Sequence, residues 1–202
     1  MKIAEVCMKP LGKLLVMVSG IFVSVAALSQ SCILPLEQSA PNARFEVDLA
    51  DSGVVTDLRT GLSWQRCAAG MEIDDANTSI LSDDRCELID QNPQDGVADI
   101  NDDDFNNDVE LTYSWFTALE FAEQAGNGWR IPNLKELSSL VEYACSQPAI
   151  NANVFPDTAQ DNYWTTTPNA RIDSSIWVID FSTGADDSIV KNSSGFVLLV
   201  RD

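Results

Sequence analysis

The chain has 202 residues, with 12 Lys or Arg against 31 Asp or Glu and a formal net charge of -19. A surface this acidic repels nucleic acid and other polyanions, so no nucleic-acid partner is expected. There is no histidine, which removes His-based triads, imidazole general bases and His-containing zinc sites together.

Lys2, Lys9 and Lys13 precede an apolar run from Leu14 to Leu28, the layout of a secretory signal. The run falls short of the ~20 residues that span a bilayer, and no cationic flank follows it. Ala27-Leu28-Ser29 fits a small-x-small cleavage signal, so residues 1–29 read as a signal peptide. Ser29-Gln30-Ser31-Cys32 also looks like a degraded lipobox with serine where leucine is usual, and the alternative expectation is a lipid anchor at Cys32. Loss of 1–29 leaves 9 basic against 30 acidic side chains on about 170 residues, which suits one domain with its own core. No later segment is apolar enough to cross a membrane, and the expected location is secreted, periplasmic or at the cell surface.

Residues 30–52 read as a Pro- and Ser-containing leader and a first strand, and 53–202 as the domain. The stretch "FEVDLADSGVVTDLRTGLSWQRC" predicts short strands joined by turns, with Asp57 to Gly61 supplying turn chemistry and Trp64 a core anchor. Outside the signal four cysteines remain, Cys32, Cys67, Cys86 and Cys145, an even number that favours disulfides in an exported chain. Three pairings are open; Cys67 and Cys86 bracket one excursion, which favours Cys67–Cys86 and leaves Cys32–Cys145.

That excursion is the core of an acidic insertion, residues 70–110. From Glu72 to Glu110 fourteen acids face one base, Arg85, with few apolar residues to bury, so the segment reads as a long loop. Within it "DQNPQDGVADINDDDFNND" presents Asp90, Asn92, Asp95, Asp99, Asp102 and Asp103 in an order similar to calcium loops. The register is imperfect, because Pro93 and Gln94 add a residue before Asp95 and no Glu closes the loop. A bound calcium ion and a solvated acidic loop are the two expectations. Mutual repulsion of so many carboxylates favours the ion.

Next, "YSWFTALEFAEQAG" predicts a helix behind Ser114, with Trp115, Ala118, Leu119 and Ala122 on one face and Gly126 as its stop. In "GNGWRIPNLKEL" Pro132 holds the preceding residue extended, Asn133 caps a second helix and Glu136 is its capping-box partner. Leu134, Leu137, Val141 and Ala144 form the apolar stripe expected to carry that helix onward. "NYWTTTP" reads as a strand, "SIWVIDFSTGADDSIV" as a hairpin turning at Ser182-Thr183-Gly184, and "GFVLLVRD" as a buried strand. The order of strands, two helices, then strands argues for an α+β fold.

Taken together, "VTDLRTGLSWQRC", "YSWFTALEFA", "GWRIPNLKELSSLVEYAC", "PAINANVFPDT", "YWTTT" and "FVLLVRD" resemble the successive signatures of the Lcl C-terminal domain family. The resemblance covers roughly residues 53–201. It implies an exported bacterial domain of C-type-lectin-like fold, two helices flanking small antiparallel β-sheets, and surface or periplasmic binding rather than chemistry. It also supports Cys67–Cys86, because the family commonly places a cysteine-bracketed loop after its Trp-Gln-Arg-Cys motif. Here that loop is longer and more acidic than usual.

Function therefore reads first as a lectin-like binding or adhesion module for a glycan or protein ligand, with Trp129, Trp164, Trp177 and Arg130 as candidate contacts. For each tryptophan the competing expectation is a core position, and for Arg130 a structural ion pair. A structural subunit of an envelope assembly is the alternative. An enzyme is not expected, since no G-x-S-x-G elbow, glycine-rich phosphate loop or histidine is present to activate a nucleophile.

Overall fold

The computed structural model describes residues 30–33, 35–74, 84–89 and 111–202. In chain order the strands before the helices are β1 (Ser31–Cys32), β2 (Phe45–Val47), β3 (Val54–Asp57), β4 (Ser63–Gln65), β5 (Met71–Asp74) and β6 (Arg85–Leu88). Helices α1 (Trp115–Ala125) and α2 (Leu134–Ser138) follow. The chain ends in β7 (Cys145–Ser146), β8 (Asn162–Pro168), β9 (Ser175–Asp180), β10 (Ala185–Val190) and β11 (Val200–Arg201). All named strand pairs are antiparallel, in the orders β11-β4-β3-β2, β10-β9-β8, β5-β6 and β1-β7. The arrangement is α+β, as expected. Among the described residues no helix is long and apolar enough to cross a membrane.

Turn chemistry fixes the hairpins. Between β3 and β4 the Asp57 carboxylate accepts from the Arg59 N–H and the Thr60 hydroxyl, and Gly61 at φ 76° returns its N–H to the Asp57 carbonyl. Between β9 and β10, Asp180 accepts from the Ser182 N–H at 2.7 Å, and Gly184 closes the turn at φ 78°. The expected turn at Ser182-Thr183-Gly184 is present.

Two buried clusters make the core. One gathers Phe45, Trp64, Leu137, Leu140, Phe155, Tyr163 and Phe181; the other gathers Ala118, Ala122, Ile131, Trp164, Ile176 and Val178. The run Val197–Val200 lies between them: Val197 and Leu199 belong to the second cluster, Leu198 and Val200 to the first. This is the period-2 alternation of an extended chain buried on both faces, which explains its unbroken apolar character. Only Val200–Arg201 is paired as a regular strand, but the longer run Gly195–Val200 bonds Gln65, Ala69, Tyr113, Arg130, Asn162 and Trp164 through its backbone.

Helix α1 starts at Ser114, whose hydroxyl accepts the Thr117 N–H, and stops at Gly126 with φ 61°. Helix α2 has the expected capping box, with Asn133 and Glu136 each accepting the other's backbone N–H. It departs from expectation in length, ending at Ser138, so Val141 and Ala144 lie beyond the helix. The reason is competition for its last carbonyls. The Ser139 hydroxyl takes the Glu136 carbonyl, and the guanidinium of Arg44 takes the Ser139 carbonyl. Val141 then bridges to Ile150, and both are buried.

The described residues before 53 are woven into this core. Strand β1 pairs with β7, and Cys32 and Cys145 stand directly opposite each other and are joined by a disulfide. A sulfur bonded to Cys145 carries no thioether, so the disulfide-bonded form is incompatible with a lipid on Cys32. The second disulfide joins Cys67 to Cys86 and ties the β5–β6 ribbon to the body.

Candidate functional site

The tryptophans named from sequence separate clearly. Trp164 is fully buried, its indole N–H donates to the Tyr113 carbonyl at 2.7 Å, and Gly195 packs against its ring. It offers no face to a ligand, and the ligand reading for Trp164 is corrected to a core role. Trp177 is half-buried on β9 opposite Ser188, with no aromatic or cationic partner for its ring among the described residues. Trp129 is also half-buried, with the Arg201 guanidinium 4.4 Å from its ring centroid.

Arg130 makes a two-pronged bond to Glu136, at 2.8 and 3.0 Å, and reaches Asp202 at 3.0 Å. Because Glu136 also accepts the Asn133 N–H at 2.7 Å, Arg130 braces the cap of α2. Hydrogen bonding to Glu136 holds the guanidinium pKa above its ordinary value, against a partial desolvation that lowers it. Among the described residues its charged contacts are thus explained by folding.

Trp129 forms one wall of a cleft of about 280 Å³. Its other walls are the turn Asp51 to Val54, Gln65 and Cys67 at the end of β4, and Met71, Glu72, Ile73 and Ile89 on the ribbon. The Cys67–Cys86 disulfide fixes the ribbon, as does a buried ion pair of Arg66 with Asp84 at 2.8 Å. Arg66 further donates to the carbonyls of Ser52 and Val154, so one cation anchors both the cleft turn and the ribbon. Another brace comes from Asp157, which accepts the Cys86 N–H at 2.9 Å.

The cleft's two carboxylates, Asp51 and Glu72, are both exposed. Asp51 accepts the Gly53 N–H at 3.0 Å, and neither Asp51 nor Glu72 has an ion-pair partner among the described residues. Glu72 stands directly across the ribbon from Glu87. Asp51, Gln65 and Glu72 were not anticipated from the sequence; each is an ordinary surface residue until the fold brings it beside Trp129.

Two other carboxylates are structural. Burial raises the Asp57 pKa, but hydrogen bonds from Arg44, Thr60 and the Arg59 N–H outweigh it and hold the group below its ordinary value. Glu142 is likewise lowered, burial being outweighed by the N–H groups of Ala144, Ala40 and Ser39 and by the Ser39 hydroxyl. The calcium candidates Asp90, Asn92, Asp95, Asp99, Asp102 and Asp103 lie outside the described residues. Among the described residues no group of three or more Cys, Asp or Glu is placed to hold a metal ion.

No curated protein matches the chain. The six sequence signatures map onto the elements that build this body: the β3–β4 hairpin, α1, the braced cap of α2, the segment leading to Phe155, β8, and the central run into β11. The model of the Lcl C-terminal domain matches residues 53–201, most of the chain, and the protein belongs to that family.

Proposed function

We propose that the protein is an exported bacterial binding module of C-type-lectin-like fold that recognises a glycan or protein ligand outside the cytoplasm. The observation that carries this reading is the cleft beside Trp129, lined by an aromatic side chain, an amide and two exposed carboxylates on walls held by a disulfide and a buried ion pair. Such a concave site with a few convergent polar groups suits a small ligand. Binding rather than catalysis is favoured by the family and by a sequence without histidine. Two disulfides support an extracytoplasmic compartment.

A glycan array read with the unaltered protein and with Trp129→Ala tests the reading. Signals lost in the variant, at unchanged fold, support the cleft; a ligand bound equally by both proteins removes it. Calcium held by residues 90–108 belongs to the same proposal, and isothermal titration addresses it separately. Absence of both heat and thermal stabilisation at millimolar calcium would sink the calcium reading alone.

A second reading, as a subunit of an envelope assembly, draws on Ile33, Leu36 and Tyr143. These are 65%, 52% and 69% exposed and are brought together by the Ile33 N–H to Ala144 carbonyl bond and the Tyr143 N–H to Ser39 hydroxyl bond. Light scattering discriminates, since a stable trimer or larger species favours assembly and a monomer favours the lone receptor.

A further inference from the structure

We infer that the open edge of β10 is a docking site for an extended, Arg- and Lys-bearing segment of a partner protein, which adds to the β10-β9-β8 sheet as a further strand. The surface is separate from the cleft beside Trp129, and none of its residues lines that cleft. Strand β10 stands at the end of its sheet and pairs with β9 over all six residues, Ala185–Val190, with no strand on its other side among the described residues. Two bonds fix which way its backbone points. The Trp177 carbonyl accepts the Thr165 hydroxyl on the β8 side, and the Ser188 N–H, opposite Trp177, donates to the Asp187 carboxylate at 2.6 Å. Backbone groups of an antiparallel strand point alternately to its two sides, so the N–H groups of Asp186, Ser188 and Val190 face away from β9. An edge of this length is a template for a further strand.

Two features select the occupant. Asp186 and Asp187 are exposed, have no ion-pair partner among the described residues and, as neighbours on a strand, point to opposite faces of the sheet. Pairing β10 with a second copy of itself gathers four carboxylates at one junction, whereas a segment with cations on both faces meets an acid on each. When an incoming carbonyl takes the Ser188 N–H, the displaced Asp187 carboxylate is left for a cation of the same incoming strand. The other feature is Trp177, whose half-buried ring has no aromatic or cationic partner among the described residues. Its neighbour on β10 is the small Ser188, whose hydroxyl accepts from the Asn169 amide at 2.9 Å. A residue added opposite Ser188 stands on the same face as Trp177, about 10 Å from it by backbone. An Arg side chain laid across Ser188 from that position meets the indole face, where a cation is favoured.

The probe is the end-capped peptide Thr-Val-Arg-Lys-Lys-Val-Thr, set against an analogue N-methylated at Arg and the second Lys, which keeps the charge and removes the N–H groups that would face β10. Calorimetry at physiological salt on the disulfide-bonded protein should show at least about tenfold tighter binding of the unmethylated peptide. Asp186→Asn with Asp187→Asn should weaken it by at least about tenfold, and Trp177→Leu, at unchanged fold, by about threefold. Glu120→Gln with Glu123→Gln, exposed on α1, and Trp129→Ala in the cleft should leave it unchanged, so this site and the cleft stand or fall separately. Hydrogen exchange should slow at Asp186, Ser188 and Val190 when the peptide is bound. No binding, equal binding of the N-methylated analogue, an affinity unchanged in either β10–β9 variant, or no slowing at those three amides overturns the inference. A dimer of the free protein that the peptide dissociates, seen by light scattering, assigns the edge to a second copy and also overturns it.

Discussion

Arg130 lies between a half-buried tryptophan and a buried isoleucine, where a cation invites a functional reading, yet among the described residues its charged contacts are Glu136 and Asp202. Its side chain is 38% exposed, so solvent screens the pair and the expected contribution is modest. Arg130→Met should lower stability by about 1 kcal/mol, because it also loosens the Glu136 cap on α2. Urea unfolding checks this, and an unchanged midpoint would return Arg130 to the list of ligand candidates. Arg44 is the contrasting case: it is 8% exposed and grips the fully buried Asp57 at 2.7 and 2.5 Å. Arg44→Met leaves a buried carboxylate without its partner, and a loss of about 3–5 kcal/mol is expected by the same assay. The two arginines look alike in sequence; burial separates their roles, and burial is a property of the fold.

At the scale of elements, local chemistry carried the reading well wherever the stabilising partners were near in sequence. The α2 capping box involves residues three apart, and the turns at Asp57 and Asp180 close on their own neighbours, so all were legible. The end of α2 was not, because Arg44, which takes the Ser139 carbonyl, is 95 positions away. The hairpin before β10 gives a direct test. Gly184 has φ +78°, and a Cβ there would come 2.6 Å from Val141 Cγ1 and 3.2 Å from Ala149 Cβ. Gly184→Ala therefore combines backbone strain with overpacking and should cost about 2–4 kcal/mol, lowering the thermal midpoint. A midpoint within a degree of the parent would contradict the close packing of the hairpin on Val141. The disulfides differ by the same logic of separation, at 113 residues for Cys32–Cys145 and 19 for Cys67–Cys86. In the chain-entropy view, replacing the longer-range pair by serines should cost about 1.5 kcal/mol more than replacing the shorter. Comparing the two double variants in urea decides it.

For the whole molecule, the order of strands and helices was enough to give α+β, since that depends on local periodicity alone. The cleft was invisible for the opposite reason: Asp51, Gln65, Glu72 and Trp129 line one cleft only after the β2–β3 turn, β4, the ribbon and the α1–α2 connection have assembled. The same holds for the strap formed by residues 35–47, which lies before the family match yet supplies the fully buried Ala40 and the buried Phe45 to the core. Two carboxylates bind that strap to the body. Glu142 accepts from the Ser39 and Ala40 N–H groups at 3.1 and 2.8 Å, and Asp57 holds Arg44. Both have pKa values below their ordinary 4.5 and 3.8, so each binds fewer protons in the folded chain than in the unfolded one. Their stabilisation is fully present above those ordinary values and is lost as pH falls through the lower, folded-state values. Stability should accordingly be flat from neutral pH to about 5 and fall steeply below about 4.5, with the strap as the first region to loosen. Hydrogen exchange at acidic pH should report earliest on Ser39, Ala40 and Ala144, whose N–H groups end on Glu142. Glu142→Gln lowers stability at neutral pH and flattens the acid limb, because one of the two titrating groups is gone. If the variant and the parent lose stability with the same slope between about pH 5 and 3, Glu142 is not part of the acid-sensitive clasp.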